Sequence, residues 1–178
     1  MKIGAIAVIG AGAEGRAVAR AALAAGYRVI LEDVLPERLA AAQQELLARL
    51  DGAGSAGLTT AASVDVACRE ADLVMDTLPE EEEMKIDVFC ILEKFARPGA
   101  ILATNAQTIP VGEIAAVTTR REDCVGLHFL EGGAGKTVLE IVRGAETSEA
   151  TVAACREMGR RMGREVAVRM EAAAETGK

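Results

Sequence analysis

The chain has 178 residues, enough for one domain with a sizeable core, and it carries a formal net charge of −7 with 2% aromatic residues. This acidic balance, without a cluster of Lys and Arg, argues against binding to nucleic acid or to an anionic membrane. No apolar stretch reaches the length of a bilayer span and the N-terminus lacks the regions of a signal peptide, so we predict a cytoplasmic protein.

The first predicted element is a buried strand that leads directly into a glycine turn. Residues 6–15 read Ile-Ala-Val-Ile-Gly-Ala-Gly-Ala-Glu-Gly, and an alanine-rich helix is predicted over residues 13–25. In a dinucleotide-binding fold, Gly10 permits the turn, Gly12 lets the backbone approach a diphosphate, and Gly15 lets the helix pack closely on the strand. The order of strand, glycine turn and helix therefore predicts a dinucleotide site at this point of the chain.

A second strand is predicted over residues 27–33, and it ends in an acidic residue, Asp33. Asp33 lies 18 residues after Gly15, where a carboxylate can accept hydrogen bonds from the hydroxyls of an adenosine ribose. The same carboxylate repels a 2′-phosphate. We therefore predict that the cofactor is NAD and not NADP.

The remaining elements alternate between helices and strands, without an internal repeat. Helices are predicted over residues 37–50, 63–70, 80–96, 110–117 and 148–162, and strands over residues 58–60, 72–78, 100–104, 123–130, 137–143 and 165–170. This alternation predicts an α/β fold with parallel strands. Within the acidic run at residues 80–83, Glu81, Glu82 and Glu83 are interpreted as the solvated start of a helix.

The cysteines give no sign of a disulfide framework or of a metal site. Cys68, Cys90, Cys124 and Cys155 form no Cys-x-x-Cys pair, and the chain contains a single histidine. We expect reduced and mostly buried thiols, and no bound metal.

Several short stretches follow one another in an order that is specific to one family. They are Val-Ile-Gly-Ala-Gly at 8–12, Ala-Asp-Leu-Val at 71–74, Pro-Glu at 79–80 with Lys85, Ile-Leu-Ala-Thr-Asn at 101–105, Gly-Leu-His-Phe at 126–129 and Leu-Glu-Ile-Val at 139–142. In this order they resemble the NAD-binding domain of the L-3-hydroxyacyl-CoA dehydrogenase family. The resemblance implies a Rossmann-type doubly wound sheet over residues 1–170, mostly parallel with antiparallel closing strands, and a C-terminal tail over residues 171–178.

The resemblance also implies NAD as cofactor and a small-molecule 3-hydroxyacyl substrate, either a CoA thioester or a smaller acid. His128 corresponds to the family's general base, which takes the hydroxyl proton, and Glu140 to the glutamate that orients it. An imidazole suits this role because it titrates near neutrality, and a carboxylate on its second nitrogen fixes the tautomer. The alternative is that His128 is a lone histidine hydrogen-bonded inside the fold.

Four further residues correspond to positions near the cofactor or the substrate. Lys85 and Asn105 match family residues around the nicotinamide half of NAD, with a surface charge and a loop cap as their alternative interpretations. Gln107 stands where the family has a serine that binds the substrate oxygen, and its amide can donate a hydrogen bond. Thr108 beside it offers a hydroxyl.

Two carboxylates depart from the family pattern. Glu131 lies three residues after the histidine, where its charge favours the imidazolium form. Glu14 lies at the N-terminus of the first helix, where it competes with a diphosphate for the same positive potential.

The end of the chain also departs from the family, because Met170 is followed by Glu-Ala-Ala-Ala-Glu and not by the Pro-Gly-Phe turn that leads into a helical domain. We therefore expect a stand-alone domain whose open face is covered by a homodimer or by a separate helical partner chain. Three functions stay open: an NAD-dependent 3-hydroxyacyl oxidoreductase, a non-catalytic NAD-binding or regulatory module, and a nucleotide-independent scaffold. Glu14 folded over the glycine turn would favour the last.

Overall fold

The computed structural model describes residues 2–49, 56–131 and 137–171. The strands are β1 (Ala5–Ile9), β2 (Arg28–Glu32), β3 (Leu58–Ala61), β4 (Leu73–Asp76), β5 (Ile101–Thr104), β6 (Cys124–Glu131), β7 (Thr137–Arg143) and β8 (Glu165–Met170). The helices are α1 (Ala13–Ala24), α2 (Pro36–Ala48), α3 (Val64–Cys68), α4 (Glu82–Phe95), α5 (Val111–Ala115) and α6 (Glu149–Arg161), with a 3₁₀ turn at Arg121–Asp123.

The strands form one sheet in the order β3-β2-β1-β4-β5-β6-β7-β8. Strands β1 to β6 are parallel, β7 is antiparallel to β6, and β8 is parallel to β7. The predicted fold class is confirmed, since the sheet is doubly wound and mostly parallel and its two closing strands run the other way. The strand order reverses between β1 and β4, which is where ligands bind in open α/β sheets.

Both faces of the central strands are buried. In β1, Ile6 and Val8 belong to the apolar cluster on the face of α1 and α6, whereas Ala7 and Ile9 belong to the cluster on the face of α3, α4 and α5. A strand covered on both faces is continuously apolar, which explains the sequence of β1. Polar side chains can therefore gather only where the strands end, at the carboxyl edge of the sheet.

The predicted bounds of helices and strands agree best with the structure where they rest on a short alternating pattern of apolar and polar residues. The predicted strands 137–143 and 165–170 coincide with β7 and β8. The helix predicted from Ser63 is shorter, because α3 ends at Cys68 and the Ser63 hydroxyl bonds Asp65 Oδ1 at 2.6 Å without capping the helix backbone.

Three of the four thiols are buried as expected: Cys68, Cys124 and Cys155, with Cys90 exposed. Burial raises the pKa of Cys124 to about 11 and that of Cys155 to about 12. Within the described ranges, no group of three or more His, Cys, Asp or Glu side chains is placed to hold a metal ion. None of the helices described there is both long and apolar enough to cross a membrane.

Candidate active site

The glycine turn after β1 is shaped by close packing on one side and open space on the other. Gly10 has a φ of +99°, and its N–H donates to the Glu32 carbonyl at 2.9 Å. A Cβ on Gly15 would lie 1.8 Å from the Gly10 carbonyl oxygen, whereas a Cβ on Gly12 would meet no atom within 4 Å. The turn and the N-terminus of α1 thus leave room for an anionic group beside Gly12, which fits a dinucleotide diphosphate.

Asp33 is fixed at the edge of this turn. Its Oδ2 accepts a hydrogen bond from the Ala11 N–H at 2.8 Å and one from the Arg38 guanidinium at 3.3 Å, while Oδ1 accepts from the Leu35 N–H at 2.8 Å. These contacts hold the buried carboxylate between the glycine turn and the loop after β2. This is the position that a ribose-binding acid requires.

Two cavities meet beside the turn. One, of about 470 Å³, runs from the glycines to the loop after β5, and the other, of about 990 Å³, lies beyond Asp33 and is mostly apolar. Arg38, Leu78 and Pro79 line both of them. The resulting groove along the carboxyl edge has the two compartments that an extended dinucleotide needs.

Glu32 lies at the floor of the larger cavity and was not singled out from the sequence. It is the last residue of β2 and is 4% exposed. Burial, with a smaller contribution from the charge of Asp33, raises the pKa of the Glu32 carboxyl to about 7.

Lys85 joins the ends of β4 and β5 from below the groove. Its fully buried Nζ donates to Asp76 Oδ2 at 3.0 Å, to the Leu78 carbonyl at 3.2 Å and to Asn105 Oδ1 at 2.5 Å. These three bonds use all the protons of the ammonium group. The alternative interpretation of Lys85 as a surface charge is wrong, because α4 turns this side chain inwards to pair with a buried carboxylate.

Asn105 connects this buried network to the groove. Its Nδ2 donates to Glu14 Oε2 at 2.7 Å, so the Glu14 side chain reaches from α1 to the loop after β5. Both residues line the smaller cavity. The Glu14 carboxylate therefore lies across the end of the groove nearest the loop after β5, and a ligand that occupies this end must displace it or pack against it.

Glu80 anchors the loop that carries the predicted substrate residues. Its Oε1 accepts hydrogen bonds from the N–H groups of Gln107, Thr108 and Ile109 at 2.9, 2.8 and 3.3 Å, and from the Thr108 hydroxyl at 2.9 Å. Burial raises the pKa of Glu80, but the hydrogen bonds from Thr108, Gln107 and Ile109 outweigh it, so the pKa lies below its usual value. Gln107 and Thr108 are exposed on the rim of the smaller cavity.

The sequence analysis assigned no role to Glu80 beyond its place in the Pro-Glu pair of the family pattern. The signal that distinguishes Glu80 is its place directly after Pro79, before the first turn of α4. There the chain still follows the end of β4, beside the loop that leaves β5.

His128 and Glu140 are directly opposite each other on β6 and β7. Nδ1 of His128 lies 2.8 Å from Glu140 Oε2, and Nε2 lies 2.7 Å from the Ala106 carbonyl oxygen. Arg169 of β8, which the sequence did not indicate, also pairs with Glu140 Oε2, at 3.1 Å. Burial raises the pKa of Glu140, but the hydrogen bonds from His128 and Arg169 outweigh this effect, so the pKa lies below its usual value. The carboxylate is therefore ionised and can only accept hydrogen bonds.

Both ring nitrogens of His128 therefore face acceptors, and the imidazolium form satisfies both of them. The ring is 6% exposed and lies under the backbone of Ala106, next to the loop that bounds the groove. The contact with Ala106 places the ring directly beneath the segment that carries Asn105 and Gln107, both of which line the smaller cavity.

The doubly wound sheet, its glycine turn and the acid after β2 define a dinucleotide-binding domain of the dehydrogenase type. Comparison with known proteins agrees, because the sequence profile of the family described as "3-hydroxyacyl-CoA dehydrogenase, NAD binding domain" matches residues 5–172. The chain belongs to this family, whose cofactor is NAD.

Individual relatives support the assignment. The chain is 31% identical over 176 residues to a probable 3-hydroxybutyryl-CoA dehydrogenase of Bacillus subtilis and 33% identical over 175 residues to a 3-hydroxybutyryl-CoA dehydrogenase of Bradyrhizobium diazoefficiens, covering 92% of this chain and 61% and 60% of theirs. A crystal structure of 3-hydroxybutyryl-CoA dehydrogenase from Escherichia coli superposes with a TM-score of 0.88 at 26% identity, over 96% of this chain and 39% of that one. The chain thus spans about 60% of the length of the curated relatives that it matches.

Proposed function

We propose that this chain is the NAD-binding and proton-transferring part of a dehydrogenase that interconverts a 3-hydroxyacyl substrate and its 3-keto product, with His128 as general base. The 2.8 Å contact between His128 and Glu140 carries this proposal. An imidazole paired with an ionised carboxylate on one nitrogen can exchange a proton through the other. The substrate class comes from the 3-hydroxybutyryl-CoA dehydrogenases to which the chain is similar.

Bound NAD supplies the hydride acceptor, and NADH the hydride donor, of such a reaction. Gly10, Gly12 and Gly15 would hold the diphosphate and Asp33 the adenosine ribose. Lys85 acts indirectly, because its buried ammonium fixes the orientation of Asn105 on the nicotinamide side.

His128 moves the proton. In the direction of ketone reduction, its Nε2–H leaves the Ala106 carbonyl and donates to the substrate oxygen, while Glu140 stabilises the ring through Nδ1. In the direction of oxidation, Nε2 takes the hydroxyl proton. When the product leaves, the Ala106 carbonyl again accepts a hydrogen bond from this N–H. The carbonyl is therefore the hydrogen-bond partner of protonated His128 between turnovers.

Gln107 and Thr108 differ in the hydrogen bonds that their side chains can still offer to a substrate. The Thr108 hydroxyl already donates to Glu80, whereas the side chain of Gln107 has no such contact with Glu80. We assign the hydrogen bond to the substrate oxygen to the Gln107 amide, and to Thr108 the placement of the loop.

The face that carries His128 needs a cover to exclude water from the reaction. Five of the six residues of β8 are exposed, and Leu130, two residues after His128 and on the same face of β6, is an exposed large apolar side chain. We infer that a second copy of this chain or a helical partner domain packs here.

The predicted tail begins at Glu171, whose side chain accepts a hydrogen bond from the Gly112 N–H at 3.0 Å. Residues 172–178 lie outside the described part of the chain. A cytoplasmic location stays a prediction.

A second function, that of a non-catalytic NAD-binding module, is favoured by two observations. Nε2 of His128 is bonded to Ala106, and Glu14 lies across the nicotinamide side of the groove. The test is to incubate the protein with acetoacetyl-CoA and NADH, and separately with NADPH, while NAD binding is measured by calorimetry. Oxidation of NADH by acetoacetyl-CoA supports the enzyme. Binding of NAD without turnover, for the chain alone and for its complex with any covering partner, supports the module.

A further inference from the structure

Glu32 carries a carboxyl that has no hydrogen-bond or ion-pair partner among the described residues. It is 4% exposed, and no described residue donates a hydrogen bond to its side chain or forms an ion pair with it. Its carboxyl is on the same side of β2 as Ile30 and lines the cavity of about 990 Å³. Neither of its carboxyl oxygens is among the fully enclosed polar atoms that lack a partner in the described part of the chain, so both can be reached from the cavity. A carboxyl that opens onto a cavity and has no protein partner there is free to bind a ligand.

The shape and chemistry of the cavity define that ligand. Its walls include Val88, Ile91 and Phe95 of α4, together with Leu35 from the loop after β2. A flat apolar ring with a polar edge fits such walls, with the edge directed at the Glu32 carboxyl, because the other buried carboxyl of the cavity, Asp33, is already paired with Arg38. The cavity begins beside Asp33, on the opposite side from the loop after β5, so it corresponds to the adenine end of a dinucleotide whose diphosphate lies at the glycine turn.

We propose that Glu32 recognises the Watson–Crick edge of the adenine of NAD in its protonated form. The neutral carboxyl donates its O–H to adenine N1 and accepts from the N6 amino group with its carbonyl oxygen. The ionised carboxylate can accept from N6 but meets the lone pair of N1 without a proton between them. This inference depends on one part of the proposed function, the binding of NAD, and does not depend on catalytic turnover of a substrate.

The charged groups around the cavity support a neutral Glu32. Asp33 contributes a like charge from the same strand end, Arg38 of α2 is already paired with Asp33, and Asp65 of α3 is bonded by Ser63 and Arg69. The residues of α4 that line the cavity, Met84, Val88, Ile91 and Phe95, carry no charge. With a pKa raised to about 7 by burial and by Asp33, Glu32 changes charge within the physiological range.

Calorimetric titration with NAD between about pH 6 and about pH 8 tests the proposal. If only protonated Glu32 binds adenine, the dissociation constant of the wild-type protein rises about tenfold over this range. Glu32→Gln keeps one donor and one acceptor, so its dissociation constant should stay near the wild-type value at pH 6 and should not change with pH. Glu32→Ala should bind about tenfold more weakly at pH 6, also without pH dependence.

The matched control is Asp65→Asn, which alters another carboxylate of the same cavity. The hydrogen bonds from Ser63 and Arg69 lower the pKa of Asp65, so it stays ionised over this range and the variant should keep the wild-type pH dependence. A second probe is the 1,N6-ethenoadenine analogue of NAD, in which both edge atoms are blocked. The wild-type protein should prefer NAD over it by about tenfold, and Glu32→Ala should bind the two within about twofold.

A wild-type dissociation constant that is constant with pH, or a Glu32→Gln variant that keeps the wild-type pH dependence, would overturn the role of Glu32 while leaving NAD binding intact. If the wild-type protein does not bind NAD at any of these pH values, both this role and the proposed function are overturned.

Discussion

Arg169 Nε lies 3.1 Å from Glu140 Oε2, the same oxygen that contacts His128 Nδ1. One carboxylate oxygen on β7 thus contacts a side chain from each neighbouring strand. Arg169 does not reach the histidine itself, so it acts as a positioning residue that limits the rotation of the Glu140 carboxylate.

We predict that Arg169→Ala lowers kcat/KM by about two- to fivefold, because a half-exposed ion pair contributes up to about 1 kcal/mol. Arg169→Lys should recover part of the loss. Arg164→Ala removes a nearby guanidinium that packs on the Phe129 ring, and it should leave kcat/KM within about twofold of wild type. Equal effects of Arg169→Ala and Arg164→Ala would show that only general charge matters.

Glu80→Ala removes the acceptor of four hydrogen bonds from the loop after β5. The free energy of unfolding should fall by about 1–3 kcal/mol at pH 7, and KM for the acyl substrate should rise because the loop loses its anchor. The pKa of Glu80 is lowered in the folded protein, so its contribution is present above the unfolded pKa and is lost as the pH falls through the folded value. Denaturant titrations at pH 7 and at about pH 3 should therefore show a large and a small difference from wild type, respectively.

Glu83→Ala is the control for that experiment, because this exposed residue belongs to the same acidic run. It should change the free energy of unfolding by less than about 0.5 kcal/mol. If Glu80→Ala behaves in the same way as Glu83→Ala, the anchoring role is wrong.

Lys85→Met leaves the buried Asp76 carboxylate without its cation. Breaking a fully buried pair on one side costs about 3–5 kcal/mol, so the midpoint of urea unfolding should fall sharply. The double variant Lys85→Met with Asp76→Leu should recover a substantial part of this loss, since no uncompensated charge remains. A double variant as unstable as the sum of the single variants would contradict this explanation.

Asp33→Asn tests the preference for NAD. The wild-type protein should bind NAD more tightly than NADP, because the carboxylate accepts from the ribose hydroxyls and repels a 2′-phosphate. In the variant, NAD should bind more weakly by about 1–3 kcal/mol, and the difference between NAD and NADP should shrink. Calorimetry with both cofactors measures this, and an unchanged NAD dissociation constant would exclude the ribose contact.

The sequence alone was sufficient to predict those features that depend on short local patterns of residues. The glycine turn, the acid at position 33 and the bounds of β7 and β8 follow from short patterns of glycine spacing and alternation. The contact between His128 and Glu140 was expected through the family resemblance, and the antiparallel register of β6 and β7 brings the two side chains together.

Contacts between the loops that follow neighbouring strands could not be predicted from the sequence. Glu80 and Thr108 are 28 residues apart, and they meet because β4 and β5 are adjacent in the sheet. Arg169 reaches Glu140 for the same reason on β8 and β7. The burial of Glu32 depends on how α3 packs against β2, and its residue type suggests a surface position.

The most direct test of the central proposal compares His128→Ala with the wild-type protein, in the presence of its covering partner if one is required. We expect that the rate of acetoacetyl-CoA reduction by NADH falls by about 10²- to 10⁴-fold in the variant, while the NAD dissociation constant stays within about twofold of wild type. Turnover by His128→Ala at the wild-type rate would contradict the assignment of His128 as the proton-transferring residue.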